Sequence, residues 1–474
     1  MRYSTAILPL VATATAVIVP DEAMANQLVL ETEQQQTDEK ASWWDNNFPN
    51  VDGILSSVEN SFETAISAFE KQAGKLSDFL SSIEVEIGSE ISDFLPSDAI
   101  VKRSETSAHH DRGTNMTIYQ TIHASNYTKR FAAMVDDYPD MVDKLNSTSI
   151  NVTAFIPTNR AFEKIPDHGK GRKPPKEFIE KILQYHILDG FYPAGRVLGH
   201  HTLPTALKSA PLGGRPQRLR VSAGLFGVRL NFYSKIVYAN LATKNGMLHG
   251  VDSILVPPPP ARRLISLFPS KFSTLELAAE KTGFAHHKES AASANLTGLT
   301  VFAPTNRAFE KLGPAANAFL FNSEKGLGYL KALLAYHVVV NETLYSDAYY
   351  GKQKGADLPG NGDDEGEEEL SGKASKHYHV DLPTLLGDKH IAVDISRWFG
   401  FIKMTVNGRV GVAVQDGVAY DGVLQVVDSI LIPPHAHKGF WDADEISVEE
   451  LVERLSPFVE QKEAKTDGVS AGEL

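Results

Sequence analysis

The stretch Ala154-Phe-Ile-Pro-Thr-Asn-Arg-Ala-Phe-Glu-Lys164 returns, with two changes, as Val301-Phe-Ala-Pro-Thr-Asn-Arg-Ala-Phe-Glu-Lys311. Two more blocks repeat in the same order: Leu183-Gln-Tyr-His-Ile187 as Leu334-Ala-Tyr-His-Val338, and Val251-Asp-Ser-Ile-Leu-Val-Pro-Pro258 as Val427-Asp-Ser-Ile-Leu-Ile-Pro-Pro434. The distance between copies grows from 147 to 176 residues, because the second copy contains an insertion, residues 351–376, rich in Gly, Asp, Glu and Lys. The chain is therefore an internal duplication.

Each copy is predicted to begin with helices and to end with strands. Residues 153–156 alternate polar and apolar side chains and stop at a proline, as a short strand does. Thr158 or Asn159 then has the side-chain oxygen that caps a helix start. Later in each copy, Asn245-Gly246 and Asp421-Gly422 are the dipeptides favoured in β-hairpins. The predicted fold class is α+β.

These repeated motifs resemble the landmarks of the fasciclin domain family. The Phe-x-Pro-Thr-Asn-x-Ala-Phe stretch, the Tyr-His pair and the closing Val-Asp-x-Ile-Leu strand occur in that family's order within residues 112–258 and again within 269–434. Further stretches are similar to the fungal branch with two tandem domains: Tyr192-Pro-Ala-Gly195, Leu203-Pro-Thr205, Asn231-Phe-Tyr233 and Leu267-Phe-Pro-Ser270. The resemblance implies two tandem fasciclin-like domains, each a β-sandwich wedge with a helical layer. It also implies extracellular or cell-surface adhesion modules without known catalytic chemistry, some fungal relatives belonging to the vacuole.

The segments outside the repeats carry signals of their own. Residues 1–25 combine a basic start, an apolar run too short to span a bilayer and Ala23-Met-Ala25, which predicts a secretory signal peptide. Residues 26–111 are acidic and hold apolar stripes with helical spacing, so amphipathic helices are expected before the domains. Residues 435–474 read as an acidic tail with a short helix at 448–455. Neither a transmembrane segment nor a glycolipid anchor is predicted.

Asn-x-Thr triplets support a secretory route, because they are acceptors for N-glycans in secreted proteins. Six occur in the chain, at Asn115, Asn126, Asn146, Asn151, Asn295 and Asn341. The expected location is secreted, extracellular or in the cell wall, with the vacuole as the alternative.

The net charge of -13 conceals a reversal along the chain. Residues 26–111 hold 17 acidic and 5 basic side chains, residues 112–258 hold 10 and 19, and residues 259–474 hold 30 and 21. The clustered basic residues of the first module are candidates for binding an anionic wall polysaccharide or a phospholipid headgroup: Lys170, Arg172, Lys173, Lys176, Arg215, Arg218 and Arg220. Alternatively, this basic face docks the acidic N-terminal helices. Nucleic acid is not expected, since no aromatic residues interleave with the basic ones.

Composition limits the chemistry that is available. The chain has no cysteine, which excludes disulfides, thiol nucleophiles and cysteine-ligated metals. Histidine pairs such as His200-His201 and His377/His379 do not converge in sequence as metal ligands do, so neither a metal nor a cofactor is expected. The favoured role of the sixteen histidines is a collective gain of charge on acidification.

His186 and His337 are placed identically in the two copies. The repeats offer Asp252 and Asp428 as acids, but no duplicated serine outside the closing strand, so a catalytic triad has little support. A buried, hydrogen-bonded histidine that joins the helices to the sheet is favoured. In related adhesion modules the Tyr-His region belongs to a receptor contact surface, a role that the resemblance extends to Tyr185, His186, Tyr336 and His337. The apolar residues around them favour the core instead.

These observations predict a non-enzymatic, glycosylated adhesion or matrix-interaction protein of the fungal secretory pathway, with cell-surface or wall glycans and proteins as partners. Two alternatives stay open: a structural protein of the vacuole, and a hydrolase of wall glycans. Paired carboxylates about 5 to 10 Å apart in a cleft would favour the hydrolase.

Enzymatic removal of N-glycans from the secreted protein is expected to reduce its mass by the glycans of several sites, because sequons in a secreted chain are acceptors for N-glycans. Asn151 is expected to be the least occupied, since it directly precedes the strand that leads to Phe155. Gel mobility and glycopeptide mass spectrometry measure both effects, and a variant with all six asparagines changed to glutamine is the matched control. Wild-type mobility that does not respond to the enzyme would contradict the secretory route.

Overall fold

The structure of the chain is a computed structural model, and it describes residues 101–102, 112–164, 174–224, 227–284, 297–351, 376–398, 401–434 and 445–467. The predicted signal peptide, residues 26–100 of the acidic segment and nearly all of the insertion lie outside the described residues. The predicted amphipathic helices also fall there.

The first module follows two short strands, β1 (Val101–Lys102) and β2 (Arg112–Gly113). Its helices are α1 (Ile118–Ala124), α2 (Lys129–Asp136), α3 (Pro139–Asn146), α4 (Asn159–Glu163), α5 (Lys176–Tyr185) and α6 (Ala194–Leu198). Its strands are β3 (Val152–Pro157), β4 (Ile187–Asp189), β5 (Thr202–Ser209), β6 (Arg215–Gly224), β7 (Gly227–Leu230), β8 (Ser234–Thr243) and β9 (Gly246–Val251).

The second module repeats this plan. Its helices are α7 (Ala261–Ser266), α8 (Pro269–Lys281), α9 (Asn306–Glu310), α10 (Pro314–Asn322), α11 (Glu324–Tyr336) and α12 (Val448–Asp467). Its strands are β10 (Leu299–Pro304), β11 (Val338–Val340), β12 (Thr343–Leu344), β13 (Tyr349–Tyr350), β14 (Lys376–Pro383), β15 (His390–Trp398), β16 (Phe401–Val406), β17 (Val410–Ala419) and β18 (Gly422–Val427).

Both modules are built on a seven-strand path with the same order. The order is β4-β3-β9-β8-β7-β6-β5 in the first and β11-β10-β18-β17-β16-β15-β14 in the second. On each path the signature strand and the closing strand are parallel, and the other neighbours are antiparallel. In the second module a bridge between Val339 and Thr384 joins the two ends of the path, so the sheet wraps around its core. The α+β class is confirmed.

The signature strands occupy equivalent positions, as the duplication predicts. Phe155 and Phe302 are fully buried in β3 and β10. The amide of Phe155 donates to the carbonyl of His186, and the amide of Phe302 donates to the carbonyl of His337, both at 2.9 Å. The two copies therefore build the same junction between the sheet and the Tyr-His pair.

The asparagine of the signature motif ties the sheet to the helical layer. Asn159 Nδ2 donates to the carbonyl of Asn126 at 2.8 Å, and Asn306 Nδ2 donates to the carbonyl of Ser270 at 3.2 Å. In the second copy the helix cap comes from Thr305, whose hydroxyl accepts from the amide three residues later. In the first copy Thr158 is the N-cap residue but its side chain makes no capping hydrogen bond, so the predicted side-chain cap is wrong there; in both copies the asparagine makes longer-range contacts.

The polar residue of each predicted hairpin lies at the turn and also fixes the start of a helix. Asn245 Oδ1 accepts the amide of Ile118, the first residue of α1, at 2.9 Å. Asp421 Oδ1 accepts the amide of Ala261, the first residue of α7, at 2.7 Å. Because helix starts have unsatisfied amides, these side chains anchor the first helix of each module.

The C-terminal helix is longer than predicted and belongs to the second module. The sequence pattern predicts a short helix within a tail, whereas α12 extends from Val448 to Asp467. Leu451 and Leu455 are fully buried and join the main apolar core of that module. The helix packs there because its apolar stripe covers α10 and α11.

Gly422→Ala is expected to destabilise the second module, because the added Cβ would lie 2.1 Å from the carbonyl oxygen of Leu299 on the parallel strand. Overpacking against backbone costs about 1–3 kcal/mol of unfolding free energy or more. Gly411→Ala is the matched control in the same sheet, since its Cβ would meet nothing within 4 Å. Chemical denaturation of the two variants measures the difference, and equal stability would contradict the described register of β10 and β18.

Candidate functional site

The side chains of the two histidines in the Tyr-His pairs make the same two hydrogen bonds. His186 and His337 each follow the last residue of their helix, α5 and α11. Nδ1 faces a carbonyl one turn earlier in the helix, 2.8 Å away for His186 and 2.9 Å away for His337. Nε2 accepts the amide of Leu255 at 3.0 Å in the first copy and of Leu431 at 2.9 Å in the second. These leucines follow the closing strands, so the imidazole joins helix and sheet.

The hydrogen bonds assign the neutral form of both rings. Since a backbone amide can only donate, Nε2 must be the unprotonated acceptor and Nδ1 the donor. Burial lowers the pKa of His186 and of His337 to about 4, although the carbonyl bond opposes the shift. A group held neutral with both nitrogens bonded is structural. The predicted buried, helix-to-sheet role agrees with this geometry.

The tyrosines of the motif are buried as well. Asn231 Nδ2 donates to the hydroxyl of Tyr185 at 2.7 Å, and Asn407 Nδ2 donates to the hydroxyl of Tyr336 at 3.1 Å. Both asparagines have positive φ, 46° and 52°. Tyr185 and Tyr336 are 0% exposed, so in this arrangement neither presents a contact surface. Sequence reasoning missed the asparagine partners, although their shared offset of 176 residues was a usable signal.

The duplicated acids lie away from the histidines and pair with lysine. Lys164 Nζ lies 2.9 Å from Asp252 Oδ2, and Lys311 Nζ lies 3.1 Å from Asp428 Oδ2. Each pair links the end of the signature helix to the closing strand. The arrangement provides no orienting carboxylate for His186 or His337, which a catalytic base needs.

Of the basic residues predicted to bind an anionic ligand, those that the structure describes are divided between the surface and the domain boundary. Three of the seven lie outside the described residues: Lys170, Arg172 and Lys173. Lys176 and Arg215 are exposed at the starts of α5 and β6. Arg218 is only 2% exposed and Arg220 only 9%. Their predicted place on an exposed basic face is therefore wrong, because the second domain covers them.

A carboxylate of the second domain holds Arg218. The Arg218 guanidinium donates to the carbonyl of Thr202 at 3.0 Å and lies 3.8 Å from Asp347 Oδ1. Asp347 also accepts the amide of His201 at 2.8 Å and the amide and hydroxyl of Thr202, the amide at 2.7 Å. Buried charges persist in proteins when they are paired and hydrogen-bonded in this way. The acidic partner of the basic strand is thus the second domain, and the predicted docking of residues 26–111 falls mostly outside the described residues.

Arg220 is held by backbone and by an aromatic ring. Its Nε donates to the carbonyl of Gln415 at 2.9 Å, and its guanidinium lies 4.0 Å from the centre of the Phe232 ring. Burial lowers the pKa of Arg220 to about 10, and the charge of Asp416 opposes that shift. Other bonds across the boundary join Ser209 to Tyr420, Gln217 to Ala419 and Tyr350 to Pro216.

Apolar packing completes the boundary between the domains. Leu212 of the first domain joins a buried cluster with residues of the second: Tyr345, Ala348, Tyr350, Val418 and Val423. Arg215 lies over the ring of Tyr350, 5.2 Å from its centre. The interface therefore has a hydrophobic part beside the charged part, as stable interfaces do.

Ser346, His201 and Asp416 meet at this boundary, but their geometry differs from that of a hydrolase triad. In a triad, one ring nitrogen binds the carboxylate and the other faces the serine. Here His201 Nδ1 lies 3.2 Å from Ser346 Oγ and 3.6 Å from Asp416 Oδ2, while Ser346 donates its hydroxyl proton to Asp416. The hydroxyl is also buried. The set does not activate a nucleophile.

The histidine pair on β14 faces an acid of the neighbouring strand. His379 Nδ1 lies 2.8 Å from Asp394 Oδ1, and His377 Nε2 lies 3.5 Å from the same oxygen. The hydrogen bond to Asp394 raises the pKa of His379. In the described ranges, no three or more His, Asp or Glu residues are grouped so as to hold a metal ion. The pairs at 109–110, 286–287 and 435/437 lie outside those ranges.

Four sequon asparagines are exposed: Asn115, Asn126, Asn146 and Asn151. Asn341 is half-buried with a φ of 65°, and its Oδ1 accepts the amide of Thr297 at 3.0 Å. Asn295 lies outside the described residues. The occupancy of all six sites stays a prediction.

A family model described as the fasciclin domain matches residues 126–257 and 270–433. The chain belongs to the fasciclin family. The predicted family, with two tandem domains, is confirmed. Within the described residues of this fasciclin protein, no helix combines the length and the apolar composition needed to cross a bilayer.

Two relatives match most of the chain, and a third matches a shorter part of it. The "Aurofusarin biosynthesis cluster protein S" of Gibberella zeae is 30% identical over 377 residues, which are 73% of this chain and 88% of that protein. The "Fasciclin-like arabinogalactan protein elcF" of Phaeosphaeria nodorum is 24% identical and covers 70% of this chain and 92% of its own length. The "Cell surface glycolipoprotein MPB83" of Mycobacterium bovis is 27% identical over 28% of this chain and 56% of its own.

Among solved structures, a FAS1 domain pair from the insect cell adhesion molecule fasciclin I is similar to this fasciclin chain. It shares 16% sequence identity with a TM-score of 0.30, covering 64% of this chain and 96% of the pair.

Acidification is expected to destabilise the fold through three buried histidines. Burial lowers the pKa of His186, His249 and His337 to about 4, against 6.5 in the unfolded chain. Their stabilising contribution is complete above pH 6.5 and is lost as the pH falls toward 4, by roughly 1 kcal/mol per pH unit for each histidine. These three therefore do not join the predicted collective gain of charge near pH 6.5.

Denaturation at a series of pH values measures the slope of the unfolding free energy. His337→Gln, which cannot become charged, is expected to reduce that slope, with exposed His390→Gln as the control. His186→Ala and His337→Ala should each lose about 1–3 kcal/mol at neutral pH by leaving an amide unpaired. A His337→Ala variant with wild-type stability but lost partner binding would instead make this motif a contact surface.

Proposed function

We propose that the chain is a non-enzymatic, glycosylated binding protein of the fungal secretory pathway, which contacts cell-surface or wall components through its paired fasciclin domains. The names of its relatives support this proposal, since one is an arabinogalactan protein and another a cell-surface glycolipoprotein. The predicted vacuolar location is kept as an alternative. Fasciclin proteins as a family are typically without catalysis.

The observation that carries the proposal is how the duplicated polar residues are used. In both copies the histidine, the tyrosine and the closing aspartate bond to groups inside their own domain. The boundary arginines and carboxylates bond across the two domains. Because these polar groups serve folding and domain pairing, the two domains form a rigid support. A partner is therefore expected to bind the outer surface.

The surface best suited to an anionic partner lies on the helical layer of the first domain. Lys176 begins α5, and its carbonyl accepts from the hydroxyl of Tyr138 at the start of α3. Arg130 on α2 and Arg160 on α4 are exposed nearby, with the amide of Arg130 bonded to Asn159. The predicted residues Lys170, Arg172 and Lys173 come between α4 and α5 in the sequence and lie outside the described residues, so the surface is defined by Arg130, Arg160 and Lys176. With Arg218 and Arg220 removed, these three residues keep the basic character of the original prediction.

A second candidate function rests on the similarity to a protein of the aurofusarin biosynthesis cluster. The chain could then assist a biosynthetic pathway through contacts with other proteins. A strain that lacks the gene would show an altered profile of secreted metabolites under this candidate and altered wall association under the first.

The full secreted chain is expected to bind vesicles with anionic phospholipid headgroups or an anionic wall polysaccharide, and more weakly as salt rises. Arg160→Gln with Lys176→Gln should weaken binding roughly 5- to 30-fold, as expected for about 1 kcal/mol per basic residue near such a surface. Lys208→Gln with Lys244→Gln removes equal charge from exposed positions elsewhere in the domain and is the control.

Cosedimentation at several salt concentrations measures these affinities. Equal losses in the two double variants would show that only net charge matters and would reject the helical-layer surface. No binding by the wild type would reject the anionic ligand, leaving neutral glycans or proteins as partners.

A further inference from the structure

A titratable cation of the first domain meets a buried carboxylate of the second. His201 immediately precedes β5, and its Nδ1 lies 3.6 Å from Asp416 Oδ2 on β17. The side chain of His201 is 27% exposed, whereas that of Asp416 is 0% exposed. The imidazole can thus exchange a proton with water while the domains stay in contact, but the carboxylate cannot be hydrated.

Asp416 is held chiefly by neutral donors. It accepts the amide of Ser346 at 2.7 Å, the hydroxyl of the same residue and Gln425 Nε2 at 3.2 Å. Its partner in the described ion pairs is His201, and the charge of Arg220 acts on it as well. A carboxylate removed from water is costly unless an opposite charge compensates it. The charge state of one histidine therefore bears directly on the domain boundary.

The other charged groups around the pair have partners of their own. On β6, Arg218 faces Asp347 and Arg220 bonds to the carbonyl of Gln415. Arg397 of β15 donates to the carbonyl of Gly199 at 3.3 Å. The remaining titratable neighbours are His200, Tyr345 and Tyr350. None of these groups is described as hydrogen-bonded to Asp416, but the charge of buried Arg220 also acts on this carboxylate.

We propose that His201 and Asp416 form a pH-sensitive latch between the two domains, which protonation of His201 tightens and deprotonation loosens. Histidine side chains in general change their charge between about pH 5 and 8. The proton binds to a ring that already faces the carboxylate, so no rearrangement is needed to form the ion pair.

The stabilising effect of the latch depends on pH. Its contribution is present where His201 is charged and is absent where His201 is neutral. At the acid end, the bonds of Asp416 to His201 and Ser346 outweigh its burial and lower its pKa, so it stays ionised in mild acid. Burial lowers the pKa of neighbouring His200, so a proton is held less readily there than on an ordinary histidine. The core histidines His186, His249 and His337 have the opposite effect, because the fold loses their stabilising contribution in acid.

Hydrogen exchange of the full chain distinguishes the effect of the latch from that of the core histidines, because the two act on amides in different parts of the structure. The amides of His201, Thr202 and Ser346 donate to Asp347 or Asp416 across the boundary or within the latch. Their protection factors should be about fivefold higher at about pH 5.5 than at about pH 7.5, the size expected of a partly exposed pair. The amides of Phe155 and Phe302, which lie in the domain cores, should not gain protection in acid.

His201→Gln is expected to abolish this difference, because glutamine can bond to Ser346 but takes no proton. His200→Gln is the matched control at the adjacent position and should keep the wild-type response. Equal protection of the boundary amides at both pH values in the wild type, or an unchanged response in His201→Gln, would overturn the latch.

A second measurement does not depend on the stability of the His201 variant. Because the chain has no cysteine, Lys244→Cys and Asp388→Cys give one spin label on an exposed position of each domain. The distance distribution between the labels should narrow in mild acid. Asp416→Asn removes the charge that His201 pairs with and should eliminate the narrowing. Narrowing that persists in Asp416→Asn would overturn the proposal.

Discussion

A neutral imidazole that bonds to its own helix and to the chain leaving the sheet is the contact on which each domain depends. The carbonyl of the same residue accepts from the buried phenylalanine of the signature strand. One residue thus joins the last turn of a helix, the centre of the sheet and the segment after the closing strand. The bonds require one protonated and one unprotonated nitrogen, so only the neutral ring can make all of them. Because the site is dry, burial itself keeps the ring neutral.

The sequence was sufficient for the architecture because the repeated blocks are the parts where many contacts converge. The strand that contains Phe155, the hairpin at Asn245 and the histidine at 186 all lie where predicted, since each depends on local chemistry that its neighbours in sequence reveal. Helix α12 was predicted too short, because its later residues are polar and the apolar positions that bury it, Leu451 and Leu455, come early.

The location of the arginines could not be read in the same way. Arg218 and Arg220 alternate with apolar residues along β6, which is the pattern of a strand with one face in water. That pattern also fits a strand whose polar face meets another domain, and nothing local separates the two cases. The decisive partners, Asp347 and Asp416, lie more than a hundred residues later in the chain. Pairing over such a distance follows from how two domains assemble, which depends on their whole surfaces.

The shared boundary sets a limit on how far either fasciclin domain can be treated alone. A first domain cut from the chain would bring Arg218 and Arg220 into water without their carbonyl and carboxylate partners. Its affinity for polyanions would then come from arginines that the second domain covers in the full chain. Such a fragment would mislead a search for natural ligands. The same dependence constrains substitutions in both domains, because a change at Thr202 or Arg218 must remain compatible with Asp347. Duplication produced two similar domains here, but their shared boundary makes the pair one structural unit.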